Sequence, residues 1–161
     1  MKKLQYQNYK IINFIITNYD EHKLILKWRN DNNVRKWMIN KELIPLEEHL
    51  KYIKSLQNRD DKICFLVKNN CKYLGIIEFS DIDNNRKIAS IGLNINTESS
   101  QKGIGSVLME ILIFVAKDRL NLKKINLYVF NDNLKAVKLY KKFNFQITNK
   151  IDTITYMEKI L

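Results

Sequence analysis

The stretch from Ser100 to Leu120, SQKGIGSVLMEILIFVAKDRL, joins a short glycine-containing loop directly to a strongly apolar helical run, and few folds accommodate both. The chain has four glycines, and two of them, Gly103 and Gly105, fall in this loop, where the backbone can turn sharply and approach a ligand with no Cβ in the way. The predicted helix aims its unpaired N–H groups back at the turn. Those amides, with the positive end of the helix dipole, form an anion site suited to a pyrophosphate and independent of acidic or metal-binding side chains. Gly-x-Gly alone matches neither the six-residue dinucleotide fingerprint nor the Gly-Lys-Ser/Thr ending of a P-loop. The preceding segment favours a phosphate cradle over an ordinary turn. KIASIGLNIN, Lys87 to Asn96, alternates Ala89, Ile91, Leu93 and Ile95 with Ser90, Gly92 and Asn94, so a strand with one half-polar face feeds the loop. Gly92 in its middle predicts a bulge or close backbone approach that splays the strand and frees main-chain groups for a ligand, although a bulge with no ligand beside it fits too.

The length of 161 residues suits one domain over 1–161 with a single ligand cleft. No apolar run approaches the length of a membrane span, and Met1-Lys2-Lys3 is followed by polar Leu-Gln-Tyr-Gln-Asn-Tyr rather than the apolar core of a secretion signal, so the expected location is the cytoplasm. Lys and Arg outnumber Asp and Glu by 28 to 17, which favours anionic partners such as coenzyme A, a nucleotide-sugar or nucleic acid. Lysines spread along every segment without interleaved aromatics make a poor groove reader, so nucleic acid is the remote alternative. Cys64, in the apolar run ICFLV, and Cys71, in a polar turn, lack metal-ligand spacing; no metal is expected, and both read as bystanders in a reducing compartment.

In chain order, KIINFII (10–16) predicts a first buried strand, and Asp20 caps a helix over about 21–30 whose Leu24, Ile25 and Trp28 share a face. Pro45 opens a second helix, LEEHLKYIKSLQN, with His49 beside its apolar face. Lys62–Val67 and Tyr73–Ser80 read as a hairpin, Lys124–Phe130 as a strand, and Asn131-Asp132-Asn133 as the cap of a helix ending near Phe143, whose lysines 135, 138, 141 and 142 form a solvated face. FQIT and TITYMEKIL close the chain as a final hairpin. In the Ser100–Leu120 helix only Ser106, Glu110 and Lys117 interrupt the apolar surface, which predicts burial nearly all round. Clustered strands with inserted helices give an α+β class, a sheet with helices on its faces.

The strand, Lys102-Gly103-Ile104-Gly105-Ser106, the apolar helix and the later run Asn133-Leu-Lys-Ala136-Val-Lys-Leu-Tyr140-Lys-Lys-Phe-Asn144-Phe145 together resemble the Gcn5-related N-acetyltransferases (GNAT). That resemblance implies a mixed, mostly antiparallel sheet splayed at an acetyl-coenzyme A cleft, with the cofactor bound by Leu93, Asn94, Ile95, the loop Ser100, Gln101, Lys102, Gly103, Ile104, Gly105 and Ser106, and Asn133. It brings Tyr140 toward the cofactor's sulfur. Two positions depart from the family pattern: Ser100 stands where Arg or Gln is usual, and Asn144 where Gly is usual before the last Phe. Main-chain amides do most of the phosphate binding, and Asn follows Gly in suitability for a left-handed helix end.

Acetyl transfer to an amine needs a base for the amine, donors for the developing oxyanion and an acid for the thiolate. Tyr140 is the candidate acid, against a packing tyrosine. Glu78, set among Leu74-Gly-Ile-Ile77 and Phe79, is the candidate base if burial raises its pKa; the alternative is an ion pair across the cleft with Arg29. Main-chain N–H groups near Leu93–Ile95 would meet the oxyanion, and Tyr128 either shares the proton through a water or is an ordinary strand aromatic. Trp28-Arg29-Asn30, Trp37-Met38, Glu47-Glu48-His49-Leu50, Gly75-Ile-Ile-Glu78-Phe79, Phe130-Asn-Asp-Asn133 and Tyr140 are further similar to the branch of the family that acts in pseudaminic acid biosynthesis for flagellin glycosylation. This implies a UDP-linked 4-amino-sugar acceptor, UDP-4-amino-4,6-dideoxy-N-acetyl-β-L-altrosamine, with Arg29, Met38, His49 and Tyr128 lining its site. A protein N-terminus of the ribosomal-protein type and a polyamine are the alternative acceptors, and a homo-oligomer is left open.

Overall fold

The computed structural model describes residues 1–70 and 72–161, so Cys71 lies outside the described residues. The chain begins with a hairpin of β1 (Lys3–Tyr6) and β2 (Tyr9–Asn13). The single strand expected over 10–16 is corrected here. Asn13 accepts a hydrogen bond from Ile15 N at 3.1 Å, and that local bond ends the strand and starts a tight helical turn, Phe14–Ile16. The strand β1 was missed because four half-exposed residues carry too little alternation to register.

Three helices follow: α1 (Tyr19–Asn30), a short α2 (Asn32–Arg35) and α3 (Leu46–Ser55). The cap of α1 is Asn18 rather than Asp20; its side chain takes Glu21 N while Glu21 returns to Asn18 N, a reciprocal pair that sets the helix start two residues earlier than expected. Next come β3 (Ile63–Asn69), β4 (Lys72–Asp83) and β5 (Ile88–Ile95), then α4 (Ile104–Phe114), whose last turn widens over Val115–Arg119. The chain closes with β6 (Lys124–Phe130), α5 (Leu134–Lys142), β7 (Gln146–Ile151) and β8 (Ile154–Ile160).

The strands form one sheet in the order β1-β2-β3-β4-β5-β6-β8-β7. Every neighbouring pair is antiparallel except β5 and β6, which run parallel and share only Ile88↔Lys124, Ala89↔Ile125 and Ser90↔Asn126. The two strands part beyond Ser90. This is the splay expected from the family resemblance, but it lies between β5 and β6 and owes nothing to a bulge at Gly92, which pairs in register with Glu78. The register shift of β4 and β5 falls instead between Ser80 and Asp83.

One face of the sheet is covered by α4, where Ile104, Leu108, Met109, Ile111 and Leu112 are each at most 2% exposed and pack with Phe65, Ile77, Phe79 and Ile125. Burying each of these side chains is worth roughly 1.5–3 kcal/mol, enough to fix the start of α4 firmly against the sheet. Glu110 is exposed, as its place in the polar stripe implies, but the helix is less enclosed than its composition suggests: Val107, Ile113 and Phe114 are only partly buried, Phe114 against the Tyr6 ring at 4.7 Å. On the other face, α1 and α3 bury Ile25, Trp28 and Ile53 over Cys64, Leu66 and Ile76 of β3 and β4. Of the two, α1 also touches β5. The outward side chains of β4, β5, β6 and β8, among them Glu78, Ser90, Asn126, Tyr128, Tyr156 and Glu158, are left as an open, largely polar floor beside the gap.

Candidate active site

A cleft of about 970 Å³ occupies the gap and runs from the start of α4 and α5 across this floor. Main-chain alternation gives its inner wall. Asn96 N donates to Leu74 O at 2.7 Å, so Asn96, Asn94 and Gly92 turn their peptide groups toward β4, and those of Leu93 and Ile95 face the gap where β6 has moved away. Asn94 therefore contributes its side chain to the cleft and spends its main chain on the sheet.

The loop between β5 and α4 is braced from within. Asn96 donates to Tyr73 O at 2.9 Å and accepts from Glu98 N, and Ser99 Oγ takes Gln101 N. Gly103 caps α4 at φ +82°, a left-handed conformation in which a Cβ would be strained although no atom stands within 4 Å to obstruct it. Its carbonyl accepts from Ser106 N and Val107 N, leaving the N–H groups of Gly103, Ile104 and Gly105 without partners among the described residues. Gly103, Gly105 and Ser106 line the cleft. Ser100, Gln101 and Lys102 do not: their side chains are exposed, and Ile104 is core. Lys142 Nζ donates to Ser106 Oγ at 3.1 Å and Lys135 lines the cleft, and both side chains are exposed, as expected of the solvated face of α5.

At the opposite wall, Asn133 Oδ1 accepts from Ala136 N at 3.2 Å and caps α5, which ends at Asn144 with φ +62°. The geometry is the left-handed helix end anticipated for Asn144. Tyr140 projects into the cleft with its ring edge against Phe145, centroids 5.7 Å apart. Burial, and then the nearby Tyr128, push its phenol up to about 12, so it holds its proton at neutral pH.

The Acetyltransferase (GNAT) family pattern matches residues 23–145. The chain belongs to the GNAT acetyltransferase family. It is 37% identical over 138 residues to Acetyltransferase PseH of Campylobacter jejuni serotype O:23/36, covering 86% of this chain and 85% of that one. The crystal structure of the C. jejuni N-acetyltransferase PseH in complex with acetyl coenzyme A superposes with a TM-score of 0.79 at 31% identity, over 94% of this chain and 98% of the other. Spermidine N-acetyltransferase from Vibrio cholerae, in complex with CoA and spermine, superposes at a TM-score of 0.85 over 96% of both chains but at 19% identity, a likeness of fold alone. As a GNAT enzyme the chain uses acetyl-CoA as its acetyl donor, and the gap presents the unpaired amides of Gly103–Gly105 and the outward peptide groups of Leu93 and Ile95.

The side of the cleft expected to hold the acceptor departs from expectation in three places. Glu78 is not buried: its side chain is 38% exposed on the cleft floor, and its partner is Lys62, with Nζ 3.7 Å from Oε2, rather than Arg29. The strand's outward face is open at this point because α1 and α3 stop short of it. Met38 and Tyr128 line the cleft, joined by Trp37, whose ring stands 6.5 Å from Phe130. Arg29 and His49 are not among the lining residues. Arg29 Nη2 donates to Asn40 O at 2.9 Å, Arg35 Nη1 to Lys41 O at 2.7 Å, and Asn30 exchanges two hydrogen bonds with Ile44, so these side chains brace the segment that carries Trp37 and Met38. His49 is 4% exposed in the α1–α3 side of the core, with Nε2 unpartnered, and burial lowers its pKa to about 4. Sequence reasoning missed Lys62, Ser90 and Asn126; only the alternation of β5 and β6 could have shown that Ser90 and Asn126 share the floor.

Proposed function

We propose that this enzyme acetylates the 4-amino group of a UDP-linked amino-sugar, UDP-4-amino-4,6-dideoxy-N-acetyl-β-L-altrosamine, as a cytoplasmic step of pseudaminic acid synthesis for flagellin glycosylation. The observation that carries the reading is the floor of the cleft. Two of its three lining carboxylates are matched with lysines, Glu78 with Lys62 at 3.7 Å and Glu158 with Lys124 at 3.1 Å, while Asp81 accepts from Ser80 Oγ at 3.3 Å; between the two pairs lie Ser90 and Asn126, themselves joined at 2.8 Å. Such a floor offers hydroxyl and amide partners to a sugar and little free negative charge to a polyamine. Similarity to Acetyltransferase PseH over most of both chains supports the same choice. Trp37 and Met38 give flat and polarizable surfaces to a base or sugar.

Bound acetyl-CoA supplies a thioester whose acetyl carbon takes the amine's electron pair while its C–S bond breaks. Gly103, Ile104 and Gly105 hold the pyrophosphate through their N–H groups, aided by Lys142. Glu78 removes a proton from the acceptor ammonium, directly or through a water shared with Tyr128. The N–H groups of Leu93 and Ile95 face the acyl oxygen as it gains charge. Tyr140 gives its phenolic proton to the leaving sulfur, and the surplus amide proton restores the phenol.

A thiol-release assay with acetyl-CoA should be run on the UDP-4-amino-sugar, spermidine and a basic peptide, with mass analysis of products. Turnover confined to the amino-sugar supports the proposal. Turnover of spermidine or the peptide alone retains the acetyltransferase and discards the acceptor.

A further inference from the structure

We infer that Gly92 is the positioning residue for Glu78: the missing side chain at 92 is what lets the carboxylate lie at the mouth of the gap. The inference rests on reading Glu78 as the base. The two residues are register partners on β4 and β5. A Cβ on Gly92 would come within 2.8 Å of Glu78 Oε1, 3.0 Å of Cγ and 3.3 Å of Cδ, and these three nearest atoms all belong to one side chain. The backbone does not ask for glycine here, since positive φ among the glycines is confined to Gly75 and Gly103 and no register shift occurs at 92. The group a methyl would press on first is Glu78.

The direction of that displacement matters. Glu78 leans across the bare Cα of Gly92, toward the strand that borders the gap, while its Oε2 turns back to Lys62 Nζ at 3.7 Å and Cys64 Sγ at 3.9 Å. Oε1 has no hydrogen-bond partner among the described residues and is free to accept an amine proton. A methyl at 92 would press the stem from Cγ onward toward β3, closing the carboxylate on Lys62 and withdrawing Oε1 from the gap. Misplacing a reacting group by about 1 Å costs on the order of 100-fold in rate.

The test is a cycle of Gly92→Ala, Glu78→Ala and the double variant, read by kcat and KM separately and by acetyl-CoA affinity from calorimetry. Gly92→Ala should slow turnover roughly 10- to 100-fold, the loss falling in kcat rather than in KM, with acetyl-CoA affinity within about 2-fold of the parent. In the Glu78→Ala background the same methyl should have no further effect, there being no carboxylate left to displace. Equal losses in both backgrounds, or unchanged turnover by Gly92→Ala alone, would overturn the positioning role. Wild-type turnover by Glu78→Ala would instead remove Glu78 as base, a separate result recognisable from that variant alone.

Discussion

The two sides of the cleft are made of different material. On the cofactor side the contacts offered to a ligand are peptide groups, those of Leu93, Ile95 and Gly103–Gly105, held by a sheet and by a helix anchored through five fully buried side chains. On the side proposed for the acceptor they are side chains: Glu78, Ser90 and Asn126 on the sheet, and Trp37 and Met38 on a segment strapped down by Arg29, Asn30 and Arg35. A main-chain site tolerates substitution at most of its positions, because any residue with the right φ and ψ supplies the same N–H. A side-chain site changes its ligand with each replacement. One scaffold can therefore keep a common donor while its acceptor varies, and the V. cholerae spermidine enzyme has this fold at 19% identity.

The largest effect expected would come from the one side chain on the cofactor side given a chemical role. Tyr140→Phe should lower kcat on the order of 100-fold while leaving acetyl-CoA affinity unchanged, since it removes a proton and no binding surface. Calorimetry beside turnover checks this; parallel loss of both would make the hydroxyl a packing element and erase the exception.

The core beneath α1 and α3 should make the protein less stable in acid. His49 is neutral in the folded protein with a pKa lowered from 6.5 to about 4, mainly by burial and secondarily by His22. The unfolded chain takes up the proton first, so the stability that neutral His49 confers is complete above 6.5 and is lost as pH falls from 6.5 through about 4. The loss over that window approaches about 3 kcal/mol. Urea unfolding at several pH values should show this slope in the parent and a flatter one in His49→Gln; identical slopes would assign the acid sensitivity elsewhere.

The smallest effect concerns the anion site. Lys142→Ala should weaken acetyl-CoA binding only about 3-fold, and the difference should vanish in high salt, because Lys142 is an exposed cation added to a site made of amides. A loss that persists in salt would mean that the lysine shapes the loop through Ser106.

The same division explains what the sequence reveals. Gly103, Asn133 and Asn144 are legible because each satisfies a local backbone demand, a left-handed turn, a helix cap and a left-handed helix end, that few residue types meet. The boundaries of β6 follow from strict alternation. Glu78 is misjudged because its apolar neighbours in sequence point elsewhere: the openness of its face is decided by how far α1 and α3 extend. Arg29 and His49 are misplaced for a related reason, since only the packed structure shows which side chains line a cleft and which stand behind its wall. Gly92 is noticed but given the wrong cause, because a bulge is a local explanation and its partner lies 14 positions earlier, on another strand.

A sheet of eight strands ordinarily has two edges. This one has four, since β5 and β6 are joined over only three register pairs and each presents an unpaired border beyond Ser90 and Asn126. An exposed border of that kind on the outside of a protein recruits other chains and is a hazard. Set inside a cleft and walled by α4 and α5, it becomes a means of recognition: a slender molecule carrying its own amide groups can enter as though it were the strand that the fold leaves out.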